Sequence, residues 1–269
     1  MPQNPAVVEP ERTSAPAATS AARVKLGNRR VTGKEQYYTP SDLAAELVSL
    51  VAEAVGGLAG KTVLEPAGGT GAFIAAAEAA GASEIHSFDI EPLHGSVAKA
   101  DFLTQNLSLR GAVAISNPPF GRNNSLSIPF FNKAAEYADT IAFIVPRSWR
   151  KWSVINRLDP NFRLTFDRDL QINYVDAAGK LISKKRALNT CFQIWQRSEQ
   201  ARGQLAVRDN GFITKTSPEL ADISLTIFGY GCGSVRTVFE RRPNTTQMFL
   251  KLNHPKALSA LKNADFERF

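Results

Sequence analysis

Cysteine, histidine and long apolar runs are scarce in this sequence, and each shortage removes a class of function. The chain has 2 cysteines, Cys191 and Cys232, too few for a disulfide framework or a zinc cluster. Its 3 histidines, His86, His94 and His254, are scattered without metal-ligand spacing, so no metal is expected. No apolar run approaches the length of a membrane span, so no membrane partner is expected either. Residues 1–32 are rich in Ala, Pro, Ser and Thr but lack the continuous apolar stretch of a secretion signal. Such a composition buries too little surface to offset the entropy of ordering, which predicts a disordered tail. Reduced thiols and the absent signal lead to the expectation of a cytoplasmic protein.

What is present is a length of 269 residues, enough for one α/β domain with a small appendage. Lys plus Arg number 32 against 25 Asp plus Glu, a net charge of +7. That excess favours a polyanionic partner, although many basic proteins bind none.

Hydrophobic periodicity and turn residues divide the chain into alternating strands and helices. Thr39-Pro40-Ser41-Asp42 predicts a helix start with Thr39 as N-cap and Pro40 at the first helical position. The helix runs through Leu43, Leu47, Leu50 and Val51 to Gly56-Gly57. Strands are predicted at 61–65, 85–89, 97–102, 112–116 and 140–145, and helices after Gly71 and around 129–137. This alternation implies a doubly wound, mostly parallel sheet. Extended stretches at roughly 162–174 and 187–197 flank a basic turn and predict an antiparallel hairpin at its end. The last seventy residues are poorly patterned, with a turn at Gly229-Tyr230-Gly231-Cys232-Gly233.

Two segments carry chemistry. Glu65-Pro66-Ala67-Gly68-Gly69-Thr70-Gly71-Ala72-Phe73 lies between a strand and a helix, where an open α/β sheet binds its ligand. Gly69 and Gly71 let the backbone approach a cofactor, and Asp89, at the end of the next strand, is placed for ribose hydroxyls. Dinucleotide enzymes share these features, but Ile74 stands where their third glycine belongs. No Gly-Lys-Ser/Thr follows this turn, which excludes a P-loop. A merely connecting glycine turn would show the same residues.

Asn117-Pro118-Pro119-Phe120 follows the strand at 112–116, on the same rim as the glycine turn. The adenine amino nitrogen is a poor nucleophile because its lone pair is delocalised into the ring. Acceptors for both amino hydrogens favour a pyramidal nitrogen, and an Asn oxygen with a neighbouring proline carbonyl can supply the pair. Phe120 offers a flat face for an extruded base. The alternative is a Pro-Pro turn ending a strand, with Phe120 in the core.

From about Gly33 to Arg197 the sequence resembles the S-adenosylmethionine-dependent adenine-amino methyltransferases, in their compact form with the catalytic motif after the cofactor motif. The resemblance implies a Rossmann-like class I methyltransferase fold over 33–199, a seven-stranded sheet ending in the hairpin, followed by a small extension at 200–269. It implies that Tyr38 and Thr39, in Lys34 to Pro40, touch the methionine part of S-adenosylmethionine. Glu65, Gly69 and Gly71 would hold that moiety, with Phe73 beside the cofactor. Asp89 would bind the ribose, and Asp101-Phe102 would recognise the cofactor adenine. Asn117, Pro118, Pro119 and Phe120 match the catalytic motif at all four positions. Relatives that serve restriction carry a large target-recognition domain that this chain lacks.

Cations interleaved with tryptophans in Pro146 to Trp152 suit a nucleic-acid strand. Arg147, Arg150 and Lys151 are the candidate phosphate contacts, with Lys184, Lys185 and Arg186 on the hairpin. The same residues would also serve as an amphipathic helix start with Trp149 and Trp152 in the core, and a solvated hairpin tip. Gly121 to Ser125 reads as a polar loop that is mobile until substrate closes over it. DNA is the favoured substrate, RNA the near alternative and protein glutamine a more distant one. A catalytically silent nucleic-acid-binding subunit is the competing class, and it would have no use for the Asn-Pro-Pro-Phe geometry.

Overall fold

The computed structural model describes residues 37–176, 180, 189–206, 208–240 and 246–264. They fall into two compact units that divide between Gln204 and Leu205. The predicted tail and the Lys184, Lys185 and Arg186 cluster lie outside the described residues.

The first unit is built on a seven-stranded sheet. Its elements are α1 (Ser41–Val55), β1 (Thr62–Glu65), α2 (Ala72–Ala79), β2 (Glu84–Asp89), β3 (Ala98–Lys99), β4 (Ala112–Ser116), α3 (Ser127–Ala134), β5 (Ala138–Pro146), α4 (Trp152–Ile155), β6 (Phe162–Leu170) and β7 (Thr190–Arg197). The strand order is β3-β2-β1-β4-β5-β7-β6. The first five strands are parallel, while β7 runs antiparallel to both β5 and β6, so the expected hairpin completes the sheet.

Alternation along the strands sends successive residues to opposite faces. Leu64, Ala114, Phe143 and Trp195 enter one core, and Val63, Ile115, Ile144 and Phe192 the other. Both faces are covered, which is why the parallel strands read as continuous apolar runs. Phe131 centres the first core, with edge-on ring contacts to Phe143, Trp149, Phe162 and Trp195. Leu47, Val48 and Val51 press α1 onto the second.

Three local expectations are corrected. Pro40, not Thr39, is the N-cap of α1, and no side chain caps it, because the Thr39 hydroxyl is engaged elsewhere. The strand predicted at 97–102 shrinks to Ala98–Lys99. Asp101 there accepts from the Leu103 N–H at 3.0 Å and bends the chain into a 3₁₀ turn. α3 ends at Ala134, three residues before Tyr137.

The second unit is a four-stranded antiparallel sheet, β8 (Ile213–Lys215), β9 (Ile223–Phe228), β10 (Val235–Arg236) and β11 (Thr246–Leu252), in the order β10-β9-β11-β8, with α5 (Ala257–Lys262). The glycine-rich segment 229–233 is its β9–β10 turn. No helix among the described residues is long and apolar enough to cross a membrane.

Candidate active site

The chain leaves β1 towards β2 and β3 on one side, and β4 leads to β5 on the other. The crevice at the carboxyl ends of β1 and β4 is therefore the topological switch point, where open α/β sheets bind ligands. Both motifs lie there. Tyr37, Tyr38, Thr39, Glu65, Ala67, Gly68, Gly69, Thr70, Ala72, Phe73 and Asn117 line a single cleft.

The cleft floor is the glycine turn. Gly69 has φ +47°, and a Cβ there would lie 2.9 Å from the Tyr38 ring. Any side chain would be both strained and obstructed. The Gly69 N–H donates to Asp89 Oδ2 at 2.9 Å, and the Glu91 N–H donates to Oδ1 at 2.8 Å, so Asp89 ties the end of β2 to the turn. Gly71, φ +78°, opens α2 under the imidazole of His94, whose Cγ would lie 2.6 Å from a Cβ.

Glu65 is 2% exposed, and the Ser87 hydroxyl donates to its Oε2 at 3.5 Å. Burial pushes its carboxyl well above the usual range; the Ser87 hydrogen bond opposes this and the Asp89 charge adds to it. Burial also raises the Tyr38 hydroxyl, helped by the carboxylates of Asp89 and Glu91. Glu65 thus lines the glycine cradle, and Asp89 joins it through the Gly69 N–H. Carboxyl acceptors beside a turn without side chains suit a ligand that brings amino or hydroxyl donors close to the backbone. Among the described residues, no group of three or more His, Cys, Asp or Glu could hold a metal ion.

At the end of β4, Asn117 is half-buried, Pro118 buried, Pro119 exposed and Phe120 half-buried against the second core. The Phe120 carbonyl accepts from the N–H groups of Leu126 and Ser127 at 3.3 Å each. The loop that follows is anchored at one residue. Asn124, 6% exposed at φ +62°, donates through Nδ2 to Ser148 Oγ at 3.2 Å.

The structure brings Tyr38, Thr39, Glu65, Gly69, Gly71, Phe73, Asp89 and Asn117 together. Asp101 is exposed at its turn, whereas Phe102 is 1% exposed between Phe88 and Phe130 and faces the core. On the rim after β5, Trp149 is a core residue whose Nε1 donates to Ser127 Oγ at 3.2 Å, while Trp152 is 48% exposed. Arg150 pairs with Asp167 at 2.6 Å and Asp169 at 2.7 Å, and Arg147 with Asp169 at 3.0 Å. Burial alone would raise the Asp167 carboxyl, but hydrogen bonds from Arg150 and Gln193 outweigh it and hold it low. Lys151 is exposed beside them. Sequence reasoning missed these aspartates, although the Asp-x-Asp spacing in β6 puts both on one face. It also missed Tyr37, Ser87, His94 and Tyr174, whose roles depend on neighbours distant in the chain.

No family's sequence profile matches the chain, and no curated protein sequence matches it. Among solved structures it is similar to PH1948, a Pyrococcus horikoshii protein assigned as an RNA methyltransferase. The TM-score is 0.51 at 24% identity, covering 61% of this chain and 87% of that one. A Thermoplasma acidophilum protein aligns with TM-score 0.46 at 21% identity, over 62% of this chain and 91% of its own. A modification subunit assigned to a type I restriction enzyme of Vibrio vulnificus aligns with TM-score 0.44 at 16% identity, over 61% and 45%. With the strand order, the first likeness shows the fold: the seven-stranded unit is a Rossmann-like, mostly parallel α/β sheet of the kind seen in that methyltransferase.

Proposed function

We propose that the chain transfers a methyl group from S-adenosylmethionine to the exocyclic amino group of adenine in nucleic acid, with DNA the favoured substrate. The observation that carries this reading is Asn117 lining the same cleft as Glu65 and the Gly68–Gly69 turn. Bound there, S-adenosylmethionine supplies an electrophilic methyl group on a sulfonium. Glu65 faces its cationic methionine end, with Tyr38, Thr39 and Phe73 around it and Gly69 and Gly71 admitting it to the backbone. Asp89 accepts from the ribose hydroxyls, and Asp101 meets the adenine edge while Phe102 supports that turn from the core.

The substrate base lies on Phe120. Asn117 Oδ1 and the Pro118 carbonyl accept from its two amino hydrogens, which favours a pyramidal nitrogen with its lone pair aimed at the methyl group. Pro119 stiffens the turn. The nitrogen gains the methyl as the methyl–sulfur bond breaks, S-adenosylhomocysteine leaves as a neutral thioether, and the nitrogen releases one proton to water. Because these acceptors are fixed before the charge develops, they act on the transition state. Lys151 contacts backbone phosphate, with Arg147 and Arg150 beside it, and the Lys184, Lys185 and Arg186 cluster adds charge.

The test is to incubate the protein with methyl-labelled cofactor and DNA, RNA and protein substrates, then identify the labelled nucleoside or residue. Label in N6-methyladenine from DNA is the expected result. Label only in protein glutamine, or in none of the three, would overturn the reading.

A further inference from the structure

An asparagine carboxamide is nearly symmetric in shape, yet only its oxygen accepts hydrogen bonds. With its ends exchanged, Asn117 would present donors to an amino group and repel it. The structure chooses between the two orientations from outside the motif. The nitrogen end of Asn117 faces the Thr39 hydroxyl oxygen at 3.3 Å and the Tyr37 backbone carbonyl at 3.5 Å. A carbonyl accepts and never donates, so the end turned towards Tyr37 is the NH2 group and the oxygen points away. Tyr174, 4% exposed, packs beside Tyr37, and among the described residues its buried hydroxyl forms no hydrogen bond of its own.

These supports are themselves held. Tyr38 pairs with Val175 through both backbone bonds, its N–H donating at 3.1 Å and its carbonyl accepting at 3.3 Å. The rings of Tyr37 and Tyr174 meet edge-on with centroids 5.4 Å apart, and Thr39 is 7% exposed. The segment before α1 and the segment after β6 thus close together on the residue that follows β4.

We infer that Tyr37 and Thr39, backed by Tyr174, orient the Asn117 carboxamide so that Oδ1 is its acceptor towards the cleft, which makes Thr39 a positioning residue for turnover. The catalytic consequence rests on the proposed methyl transfer; the orientation does not. A contact with the cofactor alone, as the sequence resemblance implies for Thr39, has a different signature.

The test compares Thr39→Val, which keeps the shape and removes the hydroxyl, with Thr39→Ser, which keeps the hydroxyl. A displacement of about 1 Å at a reacting centre costs on the order of a hundredfold, so losing one of two support bonds is expected to cost about tenfold in turnover at saturating cofactor. Turnover falls by more than cofactor affinity, which calorimetry measures separately, and Thr39→Ser recovers most of the turnover. Thr39→Val adds nothing in an Asn117→Ala background, because the oriented group is already gone. In ¹⁵N-labelled protein the Asn117 side-chain NH2 signals shift and exchange faster with solvent in Thr39→Val. Unchanged turnover with weakened affinity would make Thr39 a cofactor contact only. Unmoved Asn117 signals in Thr39→Val would overturn the inference whatever the substrate is. A wild-type protein that methylates no nucleic acid would overturn the function while leaving the NMR measurement to decide the orientation.

Discussion

Asn117 and Glu65 line one cleft but respond to different perturbations. Asn117 acts on the amino nitrogen as it pyramidalises, so Asn117→Ala is expected to leave S-adenosylmethionine affinity nearly intact. Turnover falls on the order of a hundredfold or more, as when a preorganised donor is removed from a reacting centre. Single-turnover kinetics with calorimetry separates the two quantities. Glu65 is expected to appear in the pH dependence of stability. It ionises near its ordinary value of roughly 4.3 in the unfolded chain, but burial keeps it protonated to higher pH when folded. The folded chain then binds more protons, so stability falls as pH rises from the unfolded value through the folded one. Glu65→Gln cannot ionise. Its melting temperature is expected to gain on wild type as pH rises through that window, and parallel profiles would contradict the assignment.

At the scale of elements, most of the sheet was legible because it is written locally. Continuous apolar runs in β1, β4 and β5, glycine turns and the Pro-Pro stop need only neighbours in sequence. The misreadings arose where distant atoms compete for a group. Thr39 failed as a cap because its hydroxyl accepts from Asn117, 78 residues away. The tryptophan-containing rim split, with Trp149 in the core and Arg150 held by carboxylates of β6. Lys151→Ala is therefore expected to flatten the log–log salt dependence of DNA binding by about 0.9, one phosphate contact. Arg150→Gln lowers it less; equal losses would mean that Arg150 leaves its aspartates for phosphate.

A second device at this scale fastens the end of the first unit. Arg202 donates through Nε to the Phe162 carbonyl at 2.7 Å and through one NH2 towards the carbonyls of Ile155, Leu158 and Asp159 at 3.1 to 3.3 Å. Its guanidinium also lies over Trp195, 5.6 Å from the ring centroid. Arg202→Met keeps much of the length but strands those carbonyls, for an expected loss of about 2 kcal/mol in urea-midpoint stability. This staple belongs to the first unit, which continues to Gln204, beyond the expected boundary at 199.

For the whole molecule, the division after Gln204 leaves every cleft residue in the first unit. A chain ending at Gln204 is expected to bind S-adenosylmethionine as the full chain does. Calorimetry on the truncated and full proteins checks this, and lost affinity in a folded truncation would give the second unit a part in the cleft. By itself the sequence determined the alternation of elements, the glycine turn and the Asn-Pro-Pro-Phe corner, because these follow from short-range sterics and side-chain period. Only the tertiary structure decided which groups meet. Arg150 went to Asp167, Phe102 to the core and the Asn117 amide to Thr39, because hydrogen bonding and burial act between atoms that the fold, not the chain order, brings together.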